Sequence, residues 1–382
     1  MVVVKIWGIN QKDSMGDTPL GWAARNGQED VVELLLGRDD IDPNKPGKYG
    51  QTPLLLAIFL GQEGVVKMLL RRDDINLNKA SVYGRTPLSE AAYWGHEEVV
   101  KMLLERGGVN PNEPDEAGQM PLSYAAKYRH EGVVKILLGR DNIDPNTPDE
   151  DGQTPLFQAA CQGYEGIVKA LLRREDINPD QSDNRSQTPL SEAARGGYEG
   201  VVKILLRRDE VNPDKPNDHG GTPLYYAAMN GHEKVVRMLL ESDEVNPNKR
   251  CDYGRTPLYY AAMNGHEKVV RMLLERDEVK PDKPDKWGKT PLSVAARGGY
   301  EEVVKILLRR DEVNPDKPND HGGTPLYYAA MNGHEEVVRM LLERDEVNPN
   351  KPDKCGETPL SCATRYRHTR IIALLQPPTA TI

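Results

Sequence analysis

At 382 residues, with 50 Lys and Arg against 59 Asp and Glu and a net charge of -9, the chain is acidic, whereas phosphate backbones are held by clustered Lys and Arg. That balance argues against nucleic acid as a partner. Four cysteines (Cys161, Cys251, Cys355 and Cys362) lie scattered without paired spacing, which suits a reducing compartment, and no stretch approaches the roughly 20 apolar residues that cross a membrane.

The opening Met1 to Ile6 is too short for a signal h-region, so a cytosolic or nuclear protein is expected. Residues 1–17 read as the remnant or cap of a preceding repeat, with Ile9 and Asn10 in a shortened finger. The N-terminus therefore reads as truncated. From Thr18 onward a 34-residue unit recurs: Thr-Pro-Leu stands at Thr18, Thr52, Thr86, Thr154, Thr188, Thr222, Thr256, Thr290, Thr324 and Thr358, with Met120 replacing Thr once. Such a period predicts stacked supersecondary units, none able to bury its apolar face alone.

Within the third copy, Thr86 can cap a helix and Pro87 suits the first helical position, where its missing N–H costs nothing. Leu88, Ala91 and Ala92 form one face and Gly95 ends the helix. The chain turns at His96, and a second helix runs through Val99, Val100, Leu103 and Leu104. Prolines and turn formers then predict an extended finger, as in Val211 to Gly220. Residues 18–375 thus predict eleven helix-turn-helix repeats with finger loops in a single all-α solenoid. Thr364, Arg365, Arg367, His368 and Arg370 give the last copy a polar, capping character, Pro377 and Pro378 stop its second helix, and residues 376–382 form a short tail.

Catalytic signatures are missing. Six histidines (His96, His130, His232, His266, His334, His368) share one repeat position and two (His219, His321) share a finger position, a translational ladder rather than converging ligands. Scaffold hydrogen bonding is expected of them. His96-Glu97 begins a zinc-protease pattern, but Val99 and Val100 stand where the second His belongs, and no phosphate loop, nucleophile elbow or cysteine knuckle occurs. Cys355 and His321 share a finger position without an orienting third group. No catalytic residue, metal site or cofactor is predicted. A basic ladder (Lys67, Lys101, Lys135, Lys169, Lys203, Arg237, Arg271, Lys305, Arg339) has a glutamate four residues before each rung, so it reads as a locally neutralised outer face.

Thr-Pro-Leu, Ala-Ala, Gly-His-Glu, Val-Val, Leu-Leu and the Val-Asn-Pro finger together resemble the ankyrin-repeat family from Thr18 to about Leu375. The 34-residue period and long acidic finger are similar to arrays of filamentous fungi. The resemblance implies a non-catalytic protein–protein interaction scaffold, monomeric, binding a protein partner on a concave face made of fingers and first helices. Carried over by position, that face includes the variable residues after Ala-Ala: Phe59, Leu60, Tyr93, Trp94 and Tyr128, then Met229, Asn230, Met263, Asn264, Met331 and Asn332. Finger tips add Tyr49, Tyr83, Tyr253 and Trp287.

Residues 54–60 are apolar around the whole helix, so some are expected to remain exposed, either binding a partner or repairing an edge. A partner site centred on Tyr49, Phe59, Tyr83, Tyr93, Trp94 and Tyr128 stands against local core filling. In the Tyr-Tyr pairs (Tyr225-Tyr226, Tyr259-Tyr260, Tyr327-Tyr328) the second ring is expected in the core and the first toward the groove. Alternative functions are a regulatory or inhibitory subunit of an enzyme, or the truncated sensor portion of a larger signalling protein with a NACHT-type ATPase.

Overall fold

The computed structural model describes residues 8–14 and 16–376, so the predicted stop at Pro377 and Pro378, the tail after 376 and the first seven residues lie outside the described residues. Among the described residues there are 22 α-helices and no strand. The Thr-Pro pair starts the first helix of each repeat: Thr18 Oγ1 accepts the Gly21 N–H at 3.0 Å, Thr86 Oγ1 the Ser89 N–H at 3.2 Å, and proline follows in the first turn. Met120 offers no side-chain cap, yet the helix Pro121–Lys127 still begins on its proline. Gly95 closes its helix with φ +76°, a left-handed turn that costs glycine nothing, whereas Arg129 and Arg367 hold φ +66° and +60° at the same repeat position.

The chain forms two compact units, Met1–Asn184 and Arg185–Ile382. In the first, the helices Pro19–Arg25, Pro53–Phe59, Pro87–Trp94, Pro121–Lys127 and Pro155–Cys161 pack side by side, and their partners Glu29–Leu36, Glu63–Leu70, Glu97–Arg106, Glu131–Leu138 and Glu165–Leu171 form a second row. The second unit repeats this arrangement from Pro189–Gly196 to Thr369–Leu375. Small side chains bring the first helices close: Ala91, Ala92, Ala125 and Ala126 are all 0% exposed. Val99, Val100 and Leu103 of the second row seal the core from the other side.

Polar groups join each repeat to the next at fixed offsets. His130 Nε2 meets the Tyr93 carbonyl at 2.9 Å, and His232, His266, His334 and His368 make the same bond to Arg195, Met229, Arg297 and Met331. Finger asparagines form another ladder. Asn78 donates to the Gly108 carbonyl at 2.7 Å and accepts the Asn110 N–H at 3.1 Å, a pattern shared by Asn10, Asn44, Asn112 and Asn146, and by Asn248 in the second unit. Where aspartate replaces asparagine the donor is lost, and a lysine from the following finger supplies one. Lys249, Lys317 and Lys351 reach Asp214, Asp282 and Asp316 at 3.0, 2.7 and 2.9 Å.

Two outcomes follow from these ladders. Asp282→Ala and Lys317→Ala should each lower stability, and the double variant should fall short of their sum by about 1 kcal/mol in a denaturant cycle, because each single change strands its partner. Burial pushes the half-buried His96 imidazole below its ordinary value of 6.5, against the pull of Glu63 and with help from His130. Since the fold then binds fewer protons than the unfolded chain, the His96 contribution is complete above 6.5 and is lost as pH falls through the lowered value. His96→Gln should flatten the fall of the melting temperature as the solution is acidified below 6.5.

Candidate partner-binding surface

Leu54, Leu55, Leu56, Ala57 and Ile58 are each 2% exposed or less, so the exposure expected somewhere in the all-apolar run 54–60 falls on its end alone. Neighbouring helices on both sides and the second row behind consume that circumference. Only the end escapes: Phe59 is 40% and Leu60 45% exposed. The next helix ends on Tyr93 and Trp94, the following one on Tyr128, and translation aligns the rings. Phe59 meets Trp94 edge-on at 5.3 Å between centroids, Trp94 meets Tyr93 at 4.9 Å, and Tyr93 meets Tyr128 at 4.6 Å. Trp94 and Tyr128 are each 42% exposed, while Tyr93 is half-buried beneath them.

This strip has a polar underside that reasoning from the chain alone did not include. Arg85 lies 4.6 Å from the Tyr93 centroid and 5.5 Å from that of Tyr124, and pairs with Glu90 at 3.5 Å. Glu90 in turn accepts the Trp94 indole N–H at 3.0 Å. Tyr124, packed edge-on to Tyr93, donates its hydroxyl to Asp115 of the third finger, and burial followed by that carboxylate pushes its pKa up. Side chains that set the rings are thus themselves fixed. The available signal was an arginine directly before Thr-Pro-Leu, found only at Arg85 and Arg255.

Finger tips carry the remaining predicted residues. Tyr49 and Tyr83 are 54% and 58% exposed, and Tyr49 sits at φ +60° with the Lys48 ammonium 5.1 Å from its ring. Among the described residues neither makes a ring contact with the Phe59–Tyr128 strip, so the structure joins four of the six proposed central residues directly. In the second unit Tyr253 and Trp287 stack at 5.9 Å, both near Arg255, which also lies 5.2 Å from Tyr259 and 5.6 Å from Tyr260. Met229, Met263 and Met331 are half-buried. Their asparagine neighbours are exposed but committed: Asn230 donates to the Arg195 carbonyl, Asn264 to that of Met229 and Asn332 to that of Tyr328.

Among the Tyr-Tyr pairs, the second rings Tyr226 and Tyr260 are buried as expected and Tyr225 is half-buried, but the other two first rings depart from expectation. Tyr259, the first of its pair, is 1% exposed, and Tyr327, also first, is 6% exposed. Finger side chains satisfy the hydroxyls of either ring. The Tyr259 hydroxyl donates at 2.9 Å to Asp285, a fully buried carboxylate, while the second-position hydroxyls of Tyr226 and Tyr328 accept the amides of Asn217 and Asn319 at 2.7 and 2.6 Å. The basic outer ladder pairs with glutamates of its own helices at several rungs, in two spacings. Lys135, Arg271 and Arg339 pair with glutamates four residues earlier, but Lys101 and Lys305 with glutamates three residues earlier.

Paired helices stacked at a fixed period, with hydrogen-bonded fingers, define a helical repeat protein. The family model for ankyrin repeats, written as three copies, matches overlapping spans from 3–79 through 312–381, and the chain belongs to the ankyrin-repeat family. Ankyrin repeats are generally protein–protein interaction modules and are typically non-enzymatic. A search of curated proteins returns no match. Among the described residues no helix is long and apolar enough to cross a membrane.

Because the strip is half in solvent while Ile58 is fully enclosed, truncation should separate surface from core. Phe59→Ala and Trp94→Ala should each cost about 1 kcal/mol, whereas Ile58→Ala should cost about 2–5 kcal/mol in equilibrium unfolding.

Proposed function

We propose that the protein is a non-catalytic recognition scaffold that binds a protein partner through the concave face of its fingers and first helices, as a monomer in the cytosol or nucleus. The observation that carries this reading is the exposed strip Phe59, Leu60, Trp94 and Tyr128, held by Arg85 and Glu90 beside a first helix whose Leu54, Leu55, Leu56 and Ile58 are all buried. Rigid aromatic side chains concentrate binding energy because they bury large area at little entropic cost. Tyr49 and Tyr83 extend the surface on the finger side. The second unit contributes Trp287, Met229, Asn230, Met263, Asn264, Met331 and Asn332 at equivalent positions.

Affinity capture from cell extract with the intact chain, beside the Phe59→Ala/Trp94→Ala variant, tests this. A defined set of proteins should be retained by the first and lost by the second, with both chains folded by circular dichroism. Equal capture by the two would reject the strip as the recognition surface.

A further inference from the structure

We propose that the strip of the first unit receives a partner segment in which an apolar anchor adjoins clustered Lys and Arg residues. The anchor rests on Phe59, Leu60 and Trp94, and the cations lie over Glu113, Glu116, Glu150 and Asp151. This assignment rests on the recognition reading above and adds the partner's chemistry to it.

Charge distribution among the fingers carries the inference. From the ladder position to the residue before Thr-Pro-Leu, ten fingers begin at 44, 78, 112, 146, 180, 214, 248, 282, 316 and 350, and only 112–119 and 146–153 lack any Lys or Arg. The hydrogen-bond ladder permits this without requiring it, since Asn10, Asn44 and Asn248 precede fingers that keep Lys45, Lys79 and Lys283. Asp214, Asp282 and Asp316 each draw a lysine from the next finger, but Asn78 and Asn112 satisfy the neighbouring backbone themselves, and the lysine position is filled by Glu113 and Thr147. Glu116, Glu150 and Asp151 are exposed, and no Lys or Arg among the described residues pairs with them. Glu113, also exposed, accepts the Asn110 amide at 2.6 Å.

These carboxylates continue directly from the aromatic surface. Val82 N–H donates to the Tyr49 carbonyl at 3.0 Å, Glu116 N–H to Tyr83 at 3.4 Å and Glu150 N–H to Ala117 at 3.2 Å, so successive tips share one edge. Below the tips, the Tyr124–Asp115 bond ties the third finger to the ring cluster. Polarity follows as well. Lys127 and Arg129 flank Tyr128 on the helix end, so cations of the partner are directed toward the fingers rather than along the helix ends. Complementary charge of this kind sets orientation and partner choice more than total affinity.

The test uses labelled synthetic peptides and fluorescence anisotropy with the intact chain: a tryptophan followed by a run of lysines, and its counterpart with glutamates. The lysine peptide should bind about tenfold or more tightly, with the gap narrowing as salt rises. Combined Glu113→Gln, Glu116→Gln, Glu150→Gln and Asp151→Asn changes, all at exposed positions, should erase that preference while leaving the melting temperature unchanged. Phe59→Ala/Trp94→Ala should abolish binding. Equal binding of both peptides, or a neutralised chain that keeps the preference, overturns the charge assignment, and if the aromatic variant still loses binding the recognition surface stands without it. Binding that survives the aromatic variant removes both readings. No binding of the lysine peptide to the intact chain overturns the proposal, and extract capture then decides the recognition reading separately.

Discussion

Each repeat leaves polar groups that only the adjacent repeat can satisfy, and that requirement governs the rest of the structure. The His130 ring needs the Tyr93 carbonyl, and the Asn78 amide needs Gly108 and Asn110. Apolar burial supplies most of the favourable free energy, but it is non-directional and would tolerate sliding of one helix pair over another. Hydrogen bonds at fixed offsets do not tolerate it. Register is therefore set by polar atoms, and cohesion by Val-Val, Leu-Leu and Ala-Ala layers.

A consequence is that side chains at one repeat position stand in line and do not converge. Catalytic chemistry needs different groups within a few ångströms of one reacting atom, which translation of a single motif does not supply. Recognition needs the opposite, a row of contacts at regular spacing. Positions free of the register bonds are then the ones able to vary, and the ends of the first helices and the finger tips are among them. Phe59, Trp94 and Tyr128 occupy such places, and Arg85 with Glu90 converts three variable positions into one fixed surface.

Much of this was legible in the chain because periodicity turns one local reading into eleven. Thr-Pro starts, glycine stops and the carbonyl bonds of His130, His232, His266, His334 and His368 appear as the sequence implied. What failed was the assumption that every repeat meets the same surroundings. The apolar run 54–60 was expected to stay partly exposed, but its position along the helix did not say where: two helical neighbours and the second row enclose Leu54 to Ile58 and leave Phe59 and Leu60. The tyrosine pairs misled for a related reason: Tyr259 goes inward onto Asp285 of the next finger, a contact between residues far apart in order, although Tyr260 beside it is buried as well. Arg85 beneath the rings was visible as a letter but not as a contact.

The coupling of finger Asp to a lysine 35 residues later was also present in the chain, at Asp214 with Lys249, Asp282 with Lys317 and Asp316 with Lys351. It becomes readable only once the bond is seen, because Asn and Asp look equivalent as turn formers. Chemically they are opposites here. Asparagine brings its own donor to the neighbouring carbonyl, whereas aspartate must import one, and the imported lysine neutralises the finger that provides it. An aspartate in one repeat thereby calls for a lysine in the next, whereas an asparagine leaves that position open, to Lys45, Lys79 and Lys283 as well as to Glu113 and Thr147. Where asparagine stands, as at Asn78 and Asn112, the following finger is free to carry uncompensated carboxylates, and scaffold chemistry passes into surface chemistry at that point.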